Sequence, residues 1–169
     1  MDQPMREGYT TGASATAAMK AALLALRGEF PKMVTVISPQ HAEITIPVDS
    51  ASAEGEIGTA TVLKDGGDDL DCTHGTPVVV SVRYTETPGL QLMMRQVYEE
   101  MAGRDKGLEV TVSIPYGEEL AKQTLNPAMG VVGGISVLGT TGIVKPMSED
   151  AYKRSLAPQL SVVKACGYH

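Results

Sequence analysis

Tryptophan is absent from this chain of 169 residues, which has one phenylalanine and six tyrosines. The hydrophobic core must therefore be built from Ala, Val, Leu, Ile and the nine methionines. Cysteine is almost as scarce, because only Cys72 and Cys166 are present and they form no CxxC pair. This scarcity argues against a disulfide framework and against a cysteine-based structural zinc site.

Basic residues are also in deficit, with 14 Lys and Arg against 20 Asp and Glu and a formal net charge of -6. The deficit argues against a nucleic-acid-binding protein, because such proteins contact phosphates through Lys and Arg. No apolar run is long enough to span a membrane, since the stretch 17–26 is interrupted by Lys20. The first residues lack the features of a secretory signal, so we expect a cytoplasmic protein without a membrane partner.

One helix is strongly predicted near the start of the chain. Residues 12–27, GASATAAMKAALLALR, are mostly good helix formers with no proline and no interior glycine. Thr10 or Thr11 is suited to the N-cap, and Gly28 to the left-handed residue that ends a helix. Because few of these residues are polar, we expect the helix to be buried on most sides.

Much of the remaining chain alternates apolar and polar residues with the period of two that is typical of strands. A hairpin with His41 in an exposed turn is predicted from segments 33–38 and 42–48, and further strands from 58–64, 76–84, 107–115 and 133–139. Other helices are predicted at about 91–102, at 117–124 and from Ser148, the last interrupted by Pro158. This order predicts a single α+β domain over 1–169, with a mixed or antiparallel sheet and helices on one face.

Two glycine-rich segments contain paired threonines. The first, GYTTGAS at 8–14, opens the predicted helix, whose free N–H groups and positive dipole end are suited to an anion. Ordinary helix capping explains the same residues. The second, GTTG at 139–142, ends a glycine-rich stretch that matches neither the GxxxxGK[ST] nor the GxGxxG pattern. From the residues alone, tight turns explain this second segment better than a ligand site does.

An acidic loop, KDGGDDLDCTHG at 64–75, brings four carboxylates close to one imidazole: Asp65, Asp68, Asp69, Asp71 and His74. The group suggests metal binding or acid–base chemistry, although its spacing is not that of a calcium loop. A solvated loop between strands is the competing interpretation, and it requires a partner that offsets the repulsion among the acids. Lys64 and Lys145 adjoin the glycine-rich loops, whereas Arg6 is expected to be solvated surface.

Four blocks follow one another in the chain: GYTTGASATAAMKAA, IPV, KDGGDDLDCTHG and VSIPYGEELAKQTLNPAMGVVGGISVLGTTGIVKPMSEDAY. Together they resemble the CbiD family of cobalamin biosynthesis, the cobalt-precorrin-5B C(1)-methyltransferases, from residue 8 to about 165. The resemblance implies that a methyl group passes from S-adenosyl-L-methionine to C1 of cobalt-precorrin-5B, which gives cobalt-precorrin-6A. Cobalt belongs to the corrinoid substrate, so the resemblance implies no metal held by the protein.

The resemblance also implies roles for residues in the two threonine segments and the acidic loop. The implied substrate-binding residues are Thr10, Thr11, Gly12, Lys64, Asp65, Asp69, Gly139, Thr140, Thr141 and Gly142. Asp68 and His74 are the candidate catalytic residues on this reading, and one of the two, His74 or Asp68, is expected to handle protons. The implied fold is α+β and is similar to domain 2 of ribosomal protein S5, and a homo-oligomer is left open.

The chain departs from the family in two places. Family members continue into a C-terminal half, which we expect to contribute to the S-adenosyl-L-methionine site. They also have a longer glycine-rich loop after the strand that ends at Tyr84, where this chain has TETPGLQLMM. Two other functions remain open, a non-catalytic corrinoid-binding module and a small-molecule phosphotransferase. The ligands distinguish them: S-adenosyl-L-methionine with corrinoid, corrinoid alone, or ATP.

Overall fold

The computed structural model describes residues 5–86, 94–101, 107–139 and 141–146, and several positions between 156 and 167. Thr140 and the predicted helix start at Ser148 lie outside the described residues, whereas Pro158 is helical. No helix within the described ranges is long and apolar enough to cross a membrane.

Among the described residues, eleven helices and strands with assigned bounds carry the fold. In chain order they are β1 (Gly8–Tyr9), α1 (Thr11–Ala25), β2 (Met33–Ile37), β3 (Glu43–Pro47), β4 (Ser50–Glu54), β5 (Ile57–Leu63), β6 (Pro77–Thr85), α2 (Met94–Met101), β7 (Gly107–Ser113), α3 (Gly117–Ala121) and β8 (Ile143–Val144). A short 3-10 turn, Pro127–Met129, lies between α3 and β8. The α+β prediction is confirmed.

The main sheet is antiparallel and has four strands in the order β4-β5-β6-β7. The predicted hairpin is β2 paired with β3, and its turn residue His41 is exposed as expected. The prediction of a strand at 133–139 is wrong, because this glycine-rich segment forms no strand. The strand that follows it, β8, pairs with β1. Strand β4 was not predicted, because its sequence SASAE has no β-branched residue. The strand forms because the chain reverses direction at Gly55, which has a φ of 58°, so that β4 pairs with β5.

Helix α1 begins and ends as its sequence predicts. The Thr10 side chain caps it by accepting a hydrogen bond from the N–H of Ala13. At the other end Gly28 has a φ of 81, and the N–H groups of Gly28 and Glu29 return to the carbonyls of Ala25 and Leu24. Thirteen of its 15 residues are buried, so the prediction of burial on most sides is confirmed.

The core lies between α1 and one face of the main sheet. Alternating residues of β5 and β6 bury their side chains on that face: Ala60, Val62, Val78, Val80 and Val82. The alanines of α1 allow the helix to pack closely on the sheet. At Gly58 a Cβ atom would overlap the carbonyl oxygen of Ala22, so this contact requires glycine. The close packing fixes where α1 begins relative to the loops at the end of the sheet.

Candidate functional site

Three predicted segments meet at the start of α1. The N–H of Tyr9 donates to the carbonyl of Asp65 at 2.8 Å, which joins the first threonine segment to the acidic loop. The N–H of Thr10 donates to the carbonyl of Gly142 at 2.9 Å, which joins it to the second threonine segment. The structure therefore brings together motifs that lie far apart in the sequence.

Glycines make this meeting possible. A Cβ atom at Gly8 would overlap the backbone of the acidic loop at Asp65 and Gly66. A Cβ atom at Gly139 would overlap the Thr10 hydroxyl, and one at Gly12 would lie 3.1 Å from the N of Gly139. These glycines are therefore needed for contact between the segments, whatever else they do.

The N–H groups at the start of α1 are largely satisfied within the protein. The Thr10 hydroxyl accepts a hydrogen bond from the N–H of Ala13 at 3.2 Å, and the Thr10 carbonyl accepts one from the N–H of Ser14 at 3.0 Å. The N–H of Gly12 donates to the carbonyl of Leu138 at 3.4 Å. The capping interpretation is confirmed for Thr10, and little of the helix terminus is left for an anion. The hydroxyl of Thr11 makes no hydrogen bond to a described residue, although the residue is only 8% exposed.

Arg6 offsets part of the negative charge of the acidic loop. Its guanidinium makes two bonds to Asp65, at 2.5 and 2.9 Å, and its backbone N–H donates to Oδ2 of Asp68 at 2.6 Å. The hydrogen bond from Arg6 lowers the pKa of Asp65 below its ordinary value. The expectation that Arg6 is merely solvated surface is wrong: no local pattern reveals a partner 59 positions away.

Lys64 offsets a second carboxylate from inside the loop. Its side chain is only 4% exposed and its ammonium pairs with Oδ2 of Asp71. The other oxygen of Asp71 accepts from the backbone N–H and the hydroxyl of Thr73 at 2.8 and 2.6 Å. Burial acts to raise the pKa of Asp71, but these donors together outweigh burial and lower the pKa. The ammonium of Lys64 is thus engaged within the protein by Asp71.

His74 has one ring nitrogen occupied, and its side chain is 53% exposed. Its Nδ1 accepts the N–H of Gly66 at 3.1 Å and lies 3.6 Å from Oδ1 of Asp65. A neutral His74 in this arrangement carries its proton on Nε2 and is a hydrogen-bond donor there. An open cavity of about 470 Å³ lies beside it, lined by Gly67, Asp68, Asp69, Leu70, Asp71, Cys72 and His74. Asp69 makes no side-chain hydrogen bond or ion pair to a described residue, so its carboxylate is available to a ligand.

The remaining predicted residues have less distinctive surroundings. The Thr141 hydroxyl donates to the carbonyl of Ile143 at 2.9 Å, and Gly142 is buried with a φ of 76. Lys145 is 76% exposed and its ammonium lies 3.9 Å from Glu7. Tyr9 was not predicted: its hydroxyl donates to the carbonyl of Leu63 at 3.3 Å, and burial raises its pKa. Within the described ranges, no three His, Cys, Asp or Glu residues are grouped so as to hold a metal ion.

Comparisons with known proteins agree with the motifs. A CbiD family model matches residues 1–94 and 87–146. The cobalt-precorrin-5B C(1)-methyltransferases of Geobacillus kaustophilus and Moorella thermoacetica are 41% and 39% identical to the chain, and the matches cover 96% and 99% of it but only 53% and 54% of those proteins. The chain therefore spans about half the length of the curated relatives it matches.

A solved structure is similar over nearly the whole chain. It is the crystal structure of the cobalamin biosynthesis protein CbiD from Archaeoglobus fulgidus, with a TM-score of 0.63 and 28% sequence identity. The match covers 93% of this chain and 60% of that one. Fold and sequence thus lead to the same conclusion as the motifs that meet at the start of α1, and the chain belongs to the CbiD family.

Proposed function

We propose that this protein takes part in methylation of cobalt-precorrin-5B at C1 to give cobalt-precorrin-6A, with S-adenosyl-L-methionine as the methyl donor. The observation that carries the proposal is the family match, since relatives 41% and 39% identical over most of this chain are named for that reaction. The meeting of the two threonine segments and the acidic loop supports it, because the acidic loop then presents carboxylates and an imidazole beside them. No phosphate-loop pattern supports a phosphotransferase.

The corrinoid substrate carries acetate and propionate groups around its rim, and these need hydrogen-bond donors or cations. Because Lys64 is engaged by Asp71, we assign carboxylate binding to other groups. Thr11 offers a hydroxyl without a described partner, His74 offers its Nε2 on a half-exposed ring, and Lys145 offers an exposed ammonium. The protein is acidic overall, so binding depends on these local donors and not on net charge.

Asp68 is the better of the two predicted catalytic residues for accepting a proton. One of its oxygens accepts the N–H of Arg6, and the residue is exposed at the cavity of the acidic loop. His74 is less suited to this role because its Nδ1 already accepts a hydrogen bond from the N–H of Gly66. S-adenosyl-L-methionine supplies an electrophilic methyl group; the protein orients the ring carbon, excludes water and accepts the proton that leaves the corrinoid.

Transfer of labelled methyl from S-adenosyl-L-methionine to cobalt-precorrin-5B tests the proposal directly. We expect label in the corrinoid, reduced about 100-fold or more by Asp68→Asn, since a general base contributes at least about that factor. Asp49→Asn is the matched control, because Asp49 is an exposed aspartate outside the acidic loop.

The same assay distinguishes methyl transfer from the alternative function, corrinoid binding without catalysis. Corrinoid that binds and shifts its visible spectrum, without transfer of label, would support the non-catalytic corrinoid-binding module. A chain that neither transfers methyl nor binds the corrinoid would refute the proposal.

A further inference from the structure

A second groove lies along the edge strand β7 and is lined by none of the residues predicted from the motifs. Its volume is about 540 Å³, within the range of sites for small molecules. Its lining residues come from β7, α3 and the segment before β8: Val112, Ile114, Tyr116, Gly117, Glu118, Glu119, Gly133, Gly134, Ile135 and Val137. We refer to this space as the β7 groove.

We infer that the β7 groove is the site for S-adenosyl-L-methionine on this chain. This inference rests on the proposed function, which names the donor but assigns it no site. The groove combines four features that suit the donor: a negative rim, an exposed aromatic ring, an apolar floor and a glycine that the fold does not require.

The charge of the rim favours a cation. Glu118 makes no hydrogen bond or ion pair to a described residue, while Glu119 pairs with Lys122 at 2.7 Å. The rim therefore carries a carboxylate that has no compensating cation among the described residues. S-adenosyl-L-methionine has a sulfonium and an ammonium group against one carboxylate, so its net positive charge is attracted to this rim. The charge of the rim therefore suits the donor.

Tyr116 has an aromatic ring at the groove and a strained backbone conformation. Its φ of 61 places it in the left-handed region, which is uncommon for a residue with a bulky side chain. The side chain makes no capping hydrogen bond to α3 and is 84% exposed. Strain of this kind is concentrated at functional sites. An exposed ring on the wall of the groove is suited to stack on adenine or to contact a sulfonium cation.

The floor of the groove has room for a ligand next to the backbone. Val112, Ile114 and Val137 are half-buried there and pack against the core. Gly134 has no atom within 4 Å of a Cβ position and does not have a positive φ. The fold therefore does not require glycine at this position, although glycine costs entropy on folding. A ligand that approaches the backbone at Gly134 accounts for the missing side chain.

Calorimetric titration of the chain with S-adenosyl-L-methionine and with S-adenosylhomocysteine, which lacks the sulfonium charge, tests the inference. We expect Gly134→Leu to abolish binding of both molecules while the melting temperature stays close to that of the parent. Glu118→Gln should weaken S-adenosyl-L-methionine about fivefold, the effect of one unit charge at about 4 Å in water, and S-adenosylhomocysteine less. Glu54→Gln, an exposed glutamate of β4, is the matched control and should change neither.

Tyr116→Gly distinguishes the effect of backbone strain at this position from the effect of the aromatic ring on donor binding. Glycine adopts the left-handed conformation without penalty, so this variant should raise the urea midpoint and yet weaken binding of the donor. Tyr116→Phe keeps the ring and should bind about as well as the parent.

Unchanged affinity for the donor in Gly134→Leu and Tyr116→Gly would overturn the inference and leave the proposed methyl transfer intact. Corrinoid binding, followed by the visible spectrum, should be the same in Gly134→Leu as in the parent. Loss of corrinoid binding in that variant would show that the corrinoid occupies the groove, which overturns the inference. A parent chain that binds the corrinoid but not S-adenosyl-L-methionine would overturn it as well, and would leave the corrinoid-binding part of the proposal standing.

Discussion

Removal of the buried Lys64 ammonium, which pairs with Asp71 of the acidic loop, should destabilise the whole fold. Lys64 is 4% exposed and Asp71 is 20% exposed, so their ion pair is largely shielded from water. Lys64→Met keeps the apolar stem of the side chain and removes only the charge and its hydrogen bond. The carboxylate of Asp71 then stays in place without its cation.

The magnitude follows from what Asp71 retains. Removing one partner of a fully buried ion pair costs about 3–5 kcal/mol, because an uncompensated charge remains. Asp71 keeps both hydrogen bonds from Thr73 and some contact with solvent, which reduces the cost. We therefore expect Lys64→Met to lower the free energy of unfolding by about 2–4 kcal/mol.

Urea denaturation of a double-mutant cycle measures this effect. The second change, Asp71→Asn, removes the charge and keeps an oxygen that accepts from Thr73. The double variant should be more stable than the sum of the two single changes predicts, by about 1–3 kcal/mol. Lys122→Met is the matched control, since Lys122 pairs with Glu119 at the surface, where both side chains are more than half exposed. It should change stability by less than about 1 kcal/mol.

Two results would refute this reasoning. A Lys64→Met protein within about 0.5 kcal/mol of its parent would show that the ammonium is not compensating a desolvated charge, since buried ion pairs cost far more to break. Strictly additive effects of Lys64→Met and Asp71→Asn would show that the two groups do not interact.

Other changes test the contacts between segments. Gly139→Ala should cost about 1–3 kcal/mol because its methyl group overlaps the Thr10 hydroxyl that caps α1, and the cost should shrink in a Thr10→Gly background. Gly58→Ala should cost about 3 kcal/mol or more because the overlapping atom is the carbonyl oxygen of Ala22, which cannot rotate away. The lowered pKa values of Asp65 and Asp71 contribute stability that is present above their unfolded value, near the ordinary 3.8, and is lost as the pH falls through the folded values. The urea midpoint should therefore be nearly flat from pH 7 to about 5 and fall below about pH 4.

Each of these tests has a contrary result. Equal costs of Gly139→Ala in the parent and in Thr10→Gly would show that the two residues do not touch. A Gly58→Ala protein as stable as its parent would contradict the close approach of α1 to β5. For the pH dependence, Arg6→Gln removes the hydrogen bond that lowers the pKa of Asp65. A midpoint that falls as steeply in Arg6→Gln as in the parent would exclude Asp65 as a source of the acid sensitivity.

Local signals in the sequence were sufficient for the helix α1 and for most of the strands. Helix formers, a threonine N-cap and a terminal glycine act over a few residues, and α1 is where they predict it. Alternation predicted the hairpin and β5, β6 and β7. The predictions failed where side chains say little about the backbone: SASAE forms a strand without β-branched residues, and 133–139 forms none despite its Ile, Val and Leu.

The motifs of the candidate site, and the family resemblance they carry, were likewise present in the sequence. Only the tertiary structure decided which partners each residue in them contacts. Lys64 and Arg6 are both basic residues near aspartates, yet Lys64 is enclosed within the acidic loop and Arg6 reaches that loop from 59 positions away. The carbonyls that occupy the start of α1 come from Leu138 and Gly142, more than a hundred residues later in the chain. Such partners depend on how α1 packs on the sheet, and no pattern within a short segment encodes that packing.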